Sequence, residues 1–252
     1  MRLDVYLVEN GLTPSREKAG LALERSLVFV NGKLIRKAAY QVKENDFVAL
    51  AKPPLNYVSL GGEKLETAFH HFQFNVEGRH AADLGSSTGG FTDFLLQHGA
   101  RSVLSVDVGK NQLHPSLRSK KEVILLEETD IRDLHSMELS HEKISLVVMD
   151  LSFISITKVL YHITAWIQGS PFFEPNVEMI ALVKPQFETA LRSRARGGII
   201  RNDQIRAKAV EEVKKCALQH KWEYLGSVPT EADGKTKNLE YLMYLKLDKS
   251  QL

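Results

Sequence analysis

The sequence predicts an α/β protein in two parts: a small α+β module, then a larger and mostly parallel sheet with helices on both faces. Three observations predict it. From residue 79 onward, short and nearly continuous apolar runs alternate with helical patterns, as expected for strands buried on both sides. One of these runs, Ala81-Ala82-Asp83-Leu84, enters a turn of small residues, Gly85-Ser86-Ser87-Thr88-Gly89-Gly90, and then a helix beginning near Phe91-Thr92-Asp93. Upstream, Pro53-Pro54 separates about fifty residues of different pattern from this repeat, and two prolines restrict the backbone into a semi-rigid joint.

In order, Leu3, Tyr6 and Leu7 recur at helical spacing, and Gly11 closes that short helix. Thr13-Pro14 reads as the cap and first turn of a second helix that runs to about Arg25. Val28-Phe29-Val30 leads into Asn31-Gly32, a two-residue hairpin signal, and Phe47–Leu50 is a further strand. The expected boundaries are a module over 1–50, a linker over 51–59 and the larger domain over 60–252.

After Gly61-Gly62, a helix from Glu63 carries Leu65, Ala68, Phe69 and Phe72 on one face. It holds Lys64 at its start, where the helix dipole disfavours a cation. His70-His71 reads as part of its solvated face. The strands that follow are the run ending at Leu84, then Val103–Val106, Val123–Leu126, Leu146–Met149, Met179–Val183, Tyr224–Val228 and Leu239–Leu247. Helices over Val159–Ile167 and Asp203–Gln219 lie between them. Seven strands in this order fit a Rossmann-like sheet of the methyltransferase variant, in which the last strand inserts antiparallel and ligands sit at the strand carboxyl ends.

Bulk properties narrow the function. At 252 residues, with 43% hydrophobic and 25% charged residues, the chain can bury a core. No apolar run approaches the roughly 20 residues of a membrane helix, and the first residues have no signal-peptide pattern; a cytoplasmic protein is the expectation. The single cysteine, Cys216, excludes an internal disulfide, and the nine histidines have no metal-site spacing, so no metal is expected. Net charge is +2, but residues 1–52 hold nine basic against six acidic side chains, an excess of three that leaves −1 for the remainder. A local basic face suits a phosphate backbone.

The chemistry gathers at the strand ends. Asp107, about 20 residues after the glycine turn, stands where nucleoside-binding folds grip ribose hydroxyls. The turn has Ser87 where a dinucleotide fingerprint has glycine, which favours a nucleoside without phosphates, such as S-adenosylmethionine. A glycine-rich turn that binds nothing is the alternative. Asp83, Asp107, Asp130, Asp150 and Lys184 follow five successive strands. Asp150 and Lys184 come from successive strands and can be neighbours. An amine that is partly buried and crowded by a second cation, Lys64, sheds its proton more readily, and can then serve as a general base toward an alcohol. Arg192, Arg194, Arg196 and Arg201 around Gly197-Gly198 read as a substrate-side loop that pairs with phosphates.

Two resemblances add to this reading. Arg2-Leu3-Asp4, Ser15-Arg16-Glu17-Lys18-Ala19, Val28–Gly32 and Asp46 resemble the S4 RNA-binding domain. This resemblance implies a basic RNA surface at Arg16, Lys18, Lys33, Arg36 and Lys37. Ser26 stands where that family carries glycine.

The rest of the chain is similar to the TlyA family, which joins an S4 domain to an FtsJ-like 2′-O-methyltransferase domain. The similarity lies in Tyr57-Val58-Ser59, Lys64-Leu65, the Asp83–Asp93 loop, Val106–Gly109, Asp150–Ser155, Val183–Glu188, Gly197–Arg201 and Glu240. It implies S-adenosyl-L-methionine as cofactor and ribosomal RNA or ribosomal subunits as partner. The implied catalytic set is Lys64, Asp150, Lys184 and Glu240, with Lys184 as the base. The implied cofactor residues are Asp83, Gly85, Ser86, Ser87, Thr88, Gly89, Gly90, Phe91, Asp107, Val108, Asp130, Ile131 and Asp150. The chain departs from the family at Leu60, where relatives carry arginine, and in the longer segment from Thr230 to Glu240. Two other readings are a non-catalytic RNA-binding or ribosome-associated factor and, because family members are often labelled hemolysins, a membrane-active protein.

Overall fold

The computed structural model describes residues 1–136, 143–189, 198–231 and 237–251, and the chain divides into two compact units, Met1–Asn56 and Tyr57–Leu252. The division falls inside the expected linker. Ala51 N donates to Leu27 O and Arg25 donates to Pro54 O, which ties 51–54 to the first unit. Tyr57 is buried and donates to Glu66, while Val58 N donates to Asp93, so the second unit starts at Tyr57 rather than at 60.

In the first unit, helices α1 (Leu3–Glu9) and α2 (Arg16–Glu24) cover an antiparallel sheet of β1 (Val28–Val30), β2 (Lys33–Leu34) and β3 (Val48–Leu50), in the order β2-β1-β3. Leu3, Leu7, Ala19, Leu23, Val28 and Val30 form its core. The expected cap at Thr13 moves to Ser15, whose hydroxyl accepts from Lys18 N; Thr13 is instead buried. Asn31 and Gly32 both take positive φ (51° and 74°), the conformation a two-residue hairpin needs. Ser26 also has positive φ, 60°, a conformation that glycine adopts without strain.

The second unit is a seven-stranded sheet. Its strands are β4 (His80–Leu84), β5 (Ser102–Val106), β6 (Val123–Leu126), β7 (Ile144–Met149), β8 (Phe173–Val183), β9 (Glu223–Pro229) and β10 (Tyr241–Asp248). They lie in the order β6-β5-β4-β7-β8-β10-β9, and β10 runs antiparallel to both neighbours. The helices are α3 (Leu60–Phe72), α4 (Gly90–Gln97), α5 (Pro115–Arg118), α6 (Leu160–Gly169), α7 (Pro185–Glu188) and α8 (Asp203–Gln219). Each central strand sends alternate residues to opposite cores. Val147 and Met149 of β7 meet Leu160, Ile163 and Val213, while Leu146 and Val148 meet Leu65, Phe91 and Phe94.

Three of the boundaries that shift bear on the site. Helix α3 begins at Leu60, not Glu63, because its glycines serve close packing rather than a break. A Cβ on Gly62 would lie 2.3 Å from the Tyr57 ring, and one on Gly90 would lie 2.9 Å from Gly62 N. Strand β8 starts at Phe173, six residues before the expected Met179, and β10 starts at Tyr241, which leaves Glu240 just outside it.

Candidate active site

Strands β4, β5, β7 and β8 end on one rim because they are parallel, and antiparallel β10 begins there. Lys184 follows β8 and is 7% exposed. Its Nζ lies 2.6 Å from Asp150 Oδ1 and donates to Ser152 Oγ at 2.8 Å. Tyr241 pairs with Val183, so continuing the register by one residue sets Glu240 beside Lys184. Glu240 is 9% exposed. Its Oε2 accepts from Lys64 Nζ at 2.7 Å, and its Oε1 accepts from Gln186 at 3.0 Å. The rim thus carries two lysine–carboxylate pairs, one of them reaching across from α3. Lys64, disfavoured near a helix start, is stabilised there by a carboxylate distant in sequence.

Beside them lies a cavity of about 530 Å³. Gly85, Ser87, Asp107, Val108, Asp130, Ile131 and Asp150 line it, with Phe153 from the loop after β7. Asp107 accepts from Ser87 N (2.8 Å) and Gly109 N (2.7 Å), which leaves about two of a carboxylate's four acceptor positions free. Asp130 is held by Arg132, whose guanidinium keeps the carboxyl below its ordinary range. Three carboxylates around exposed Val108 and Phe153 and buried Ile131 suit a ligand with hydroxyls, a flat base and a positive charge. That is the chemistry of S-adenosylmethionine, and the donor set fits it.

The other expected cofactor residues are not among those that line the cavity. Phe91 and Gly90 are buried, and the open sides of Gly89 and Gly90 are filled by Leu113, Leu117 and Ser59 rather than facing the cavity. Thr88 is exposed and its carbonyl accepts from His114 N. Asp83 is fully buried; Thr92 Oγ1 donates to it at 2.6 Å and also meets Ser105 Oγ. Asp83 Oδ1 and Ser86 Oγ are buried without a hydrogen-bond partner among the described residues.

Gly85 is needed in place. Its φ is +85°, and a Cβ would lie 2.6 Å from the Asp150 carbonyl oxygen. Gly85→Ala is expected to destabilise the fold by about 1–3 kcal/mol and to weaken cofactor binding, read by thermal unfolding and cofactor titration. Wild-type values for both would refute the steric argument.

Burial, with Asp150 and Asp107 nearby, raises the Asp83 pKa to about 7, whereas an unfolded aspartate ionises near pH ~4. Between these values the unfolded chain has released a proton that the native state still holds. The stabilisation is therefore full below about pH 4 and is lost as pH rises toward 7. Asp83→Asn removes this dependence. Between pH 5 and 8 the wild-type unfolding midpoint should fall relative to that of the variant; parallel curves would refute the assignment.

In the first unit, Lys33, Arg36 and Lys37 are exposed, and Arg36 and Lys37 line a surface groove of about 480 Å³ with Leu34, Ile35 and Tyr40. Arg36 donates to Ser26 Oγ and Lys18 is half-buried. Arg16 is engaged within the unit, with its guanidinium 2.6 Å from buried Asp4. Arg192, Arg194 and Arg196 lie outside the described residues. Sequence reasoning gave no role to Ser152, Thr92 or Gln186. Only Gln186 left a signal, as an amide two residues beyond Lys184.

The order of the sheet, its single antiparallel insertion and an acidic cavity at the carboxyl rim define an FtsJ-like methyltransferase domain that uses S-adenosyl-L-methionine; residues 57–247 match that family and residues 1–48 match the S4 domain. Chains sharing this fold at 14% and 15% identity include S-adenosylmethionine-dependent methyltransferases, a likeness of fold alone. The chain belongs to the TlyA family. It is 37% identical over 244 residues to Hemolysin A of Brachyspira hyodysenteriae, covering 97% of this chain and 99% of that one. It is 35% identical over 246 residues to the 16S/23S rRNA (cytidine-2′-O)-methyltransferase TlyA of Mycobacterium tuberculosis, covering 97% and 89%. The solved structure of a suspected hemolysin from Streptococcus thermophilus superposes with a TM-score of 0.70 at 32% identity, over 98% of this chain and 88% of that one. Among the described residues no helix is long and apolar enough to cross a membrane.

Proposed function

We propose that the chain methylates ribose 2′-hydroxyls of ribosomal RNA, with Lys184 as general base. The observation that carries this reading is the pairing of Lys184 with Asp150 and of Lys64 with Glu240 on the rim beside the cavity. Asp107, Asp130 and the Gly85 turn would hold S-adenosylmethionine, which when bound would supply a methyl group already activated by its positive sulfur. The protein's remaining task is to place an alcohol oxygen in line and remove its proton. Lys184 Nζ accepts that proton, and Asp150, 2.6 Å away, compensates the charge of the ammonium. Ser152 fixes the direction of the amine. Lys64, tethered by Glu240, presents a second cation to the oxygen as it gains negative charge. Gln186 holds Glu240 from its other side.

The S4 unit, with its excess of basic residues, supports RNA as the substrate, and the names of the relatives support ribosomal RNA and the 2′-position. The test is to incubate the protein with labelled S-adenosylmethionine and ribosomal subunits, then map label by nuclease digestion and mass spectrometry. Label on a ribose 2′-oxygen is expected. Cofactor binding with no label in RNA would favour a non-catalytic factor.

A further inference from the structure

We propose that Glu188 is a positioning residue for methyl transfer, clipping the Asp150–Ser155 loop onto α7 so that Asp150 and Ser152 meet Lys184. The loop after β7 carries half of the base's surroundings: Asp150, Ser152 and the cavity residues up to Ile154. It has neither helix nor strand to hold it, and Phe153 within it has φ +68° and is 79% exposed. Such a loop keeps its shape only when both ends are anchored. One end is anchored where Asp150 N donates to Leu84 O at 3.0 Å.

Glu188 anchors the other end. Ile156 N donates to its Oε1 at 2.8 Å, and the Ser155 hydroxyl donates to its Oε2. Ser155 Oγ also caps the single turn Ile156–Lys158 by accepting from Thr157 N, so the anchor point is itself braced.

On the opposite side, Glu188 is one turn from the base. Phe187 N and Glu188 N both donate to Lys184 O, at 2.8 and 3.3 Å. The carboxylate therefore joins the segment that carries Lys184 to the segment that carries Asp150 and Ser152. With Gln186 gripping Glu240, the single turn α7 spaces both lysine–carboxylate pairs. Burial raises the Glu188 pKa against the opposing effect of these two hydrogen bonds, so an unbonded carboxylate would be a poor choice there.

The inference rests on the proposed reaction and is tested in the full chain. Glu188→Ala is expected to lower the single-turnover rate on ribosomal RNA about 10- to 100-fold, with a smaller rise in cofactor Kd, because Gly85, Asp107 and Asp130 line the cavity from outside the loop. Glu188→Gln still accepts from Ile156 N and can donate to Ser155 Oγ, so it should restore the rate to within about 3-fold of wild type. Amide hydrogen exchange gives a readout that needs no RNA: Ile156 N–H should be protected in wild type and Glu188→Gln, and should exchange faster in Glu188→Ala. The proposal fails if Glu188→Ala keeps the wild-type rate, if Glu188→Gln is as slow as the alanine variant, or if Ile156 protection is unchanged. Absence of activity in wild type would instead count against the proposed reaction, and the exchange result would still decide the clip.

Discussion

Lys184→Met is expected to lower the methyl-transfer rate on RNA about 10²–10⁴-fold, the usual contribution of a positioned base, while cofactor Kd stays within a few-fold. Methionine keeps most of the unbranched stem that fills the site and removes only the amine. The cofactor cavity is formed by residues other than Lys184, so binding there should survive. The substitution also strands Asp150, whose side chain is 22% exposed. Leaving a carboxylate without its cation in a partly buried place should destabilise the fold by up to about 3 kcal/mol, so rates are compared at a temperature where both proteins are folded. Lys184→Met with Asp150→Asn removes both charges and should recover stability without recovering rate. A single variant that still turns over at the wild-type rate would remove Lys184 from the base role. A rate that falls only in proportion to the folded fraction would make the pair structural.

The second large effect concerns the substrate side. Reversing Lys33, Arg36 and Lys37 together to glutamate should weaken RNA binding by more than 10-fold at low salt and flatten its salt dependence. Each cation–phosphate pairing that disappears reduces the slope of log K against log salt by about 0.7–0.9. Removing three such pairings would lower the slope by about two to three. Arg16 is excluded because its guanidinium is paired with Asp4. Replacing it would leave that carboxylate with Arg2 alone in its wall of α1 and α2, and would confound folding with binding. Binding assayed at several salt concentrations decides the matter, and an unchanged slope would mean that the S4 unit meets its RNA through other residues.

Much of the site is legible in the sequence because its determinants are local. An apolar run followed at once by Asp or Lys marks a strand end, and parallel strands place all such ends on one rim. Asp107, Asp150 and Lys184 stand out that way, and the Gly85 turn by its small residues; Asp83, expected at a strand end, lies inside β4 and is fully buried. The pattern misleads where a residue has two uses. Gly61-Gly62 looks like a helix boundary but is the close approach between α3, Tyr57 and α4. Thr13-Pro14 looks like a cap, yet Ser15 holds that place because Thr13 is drawn into the core. Arg16 is expected on the RNA surface by resemblance alone, and nothing local reveals that Asp4 lies against it.

The amino-acid sequence alone determined the two-part architecture, the seven strands, the glycine turn and the acids and lysine along one rim. Each depends on the apolar period or turn chemistry of a few adjacent residues. Only the tertiary structure decided what those groups touch. Lys64 and Glu240 are 176 positions apart. They meet because β10 inserts between β8 and β9 and brings Glu240 into register beside Lys184. The same insertion lets Gln186 reach Glu240, and the fold of the loop after β7 lets Ser155 reach Glu188. Partnerships of this kind arise from strand order and chain path, which no short window of residues encodes.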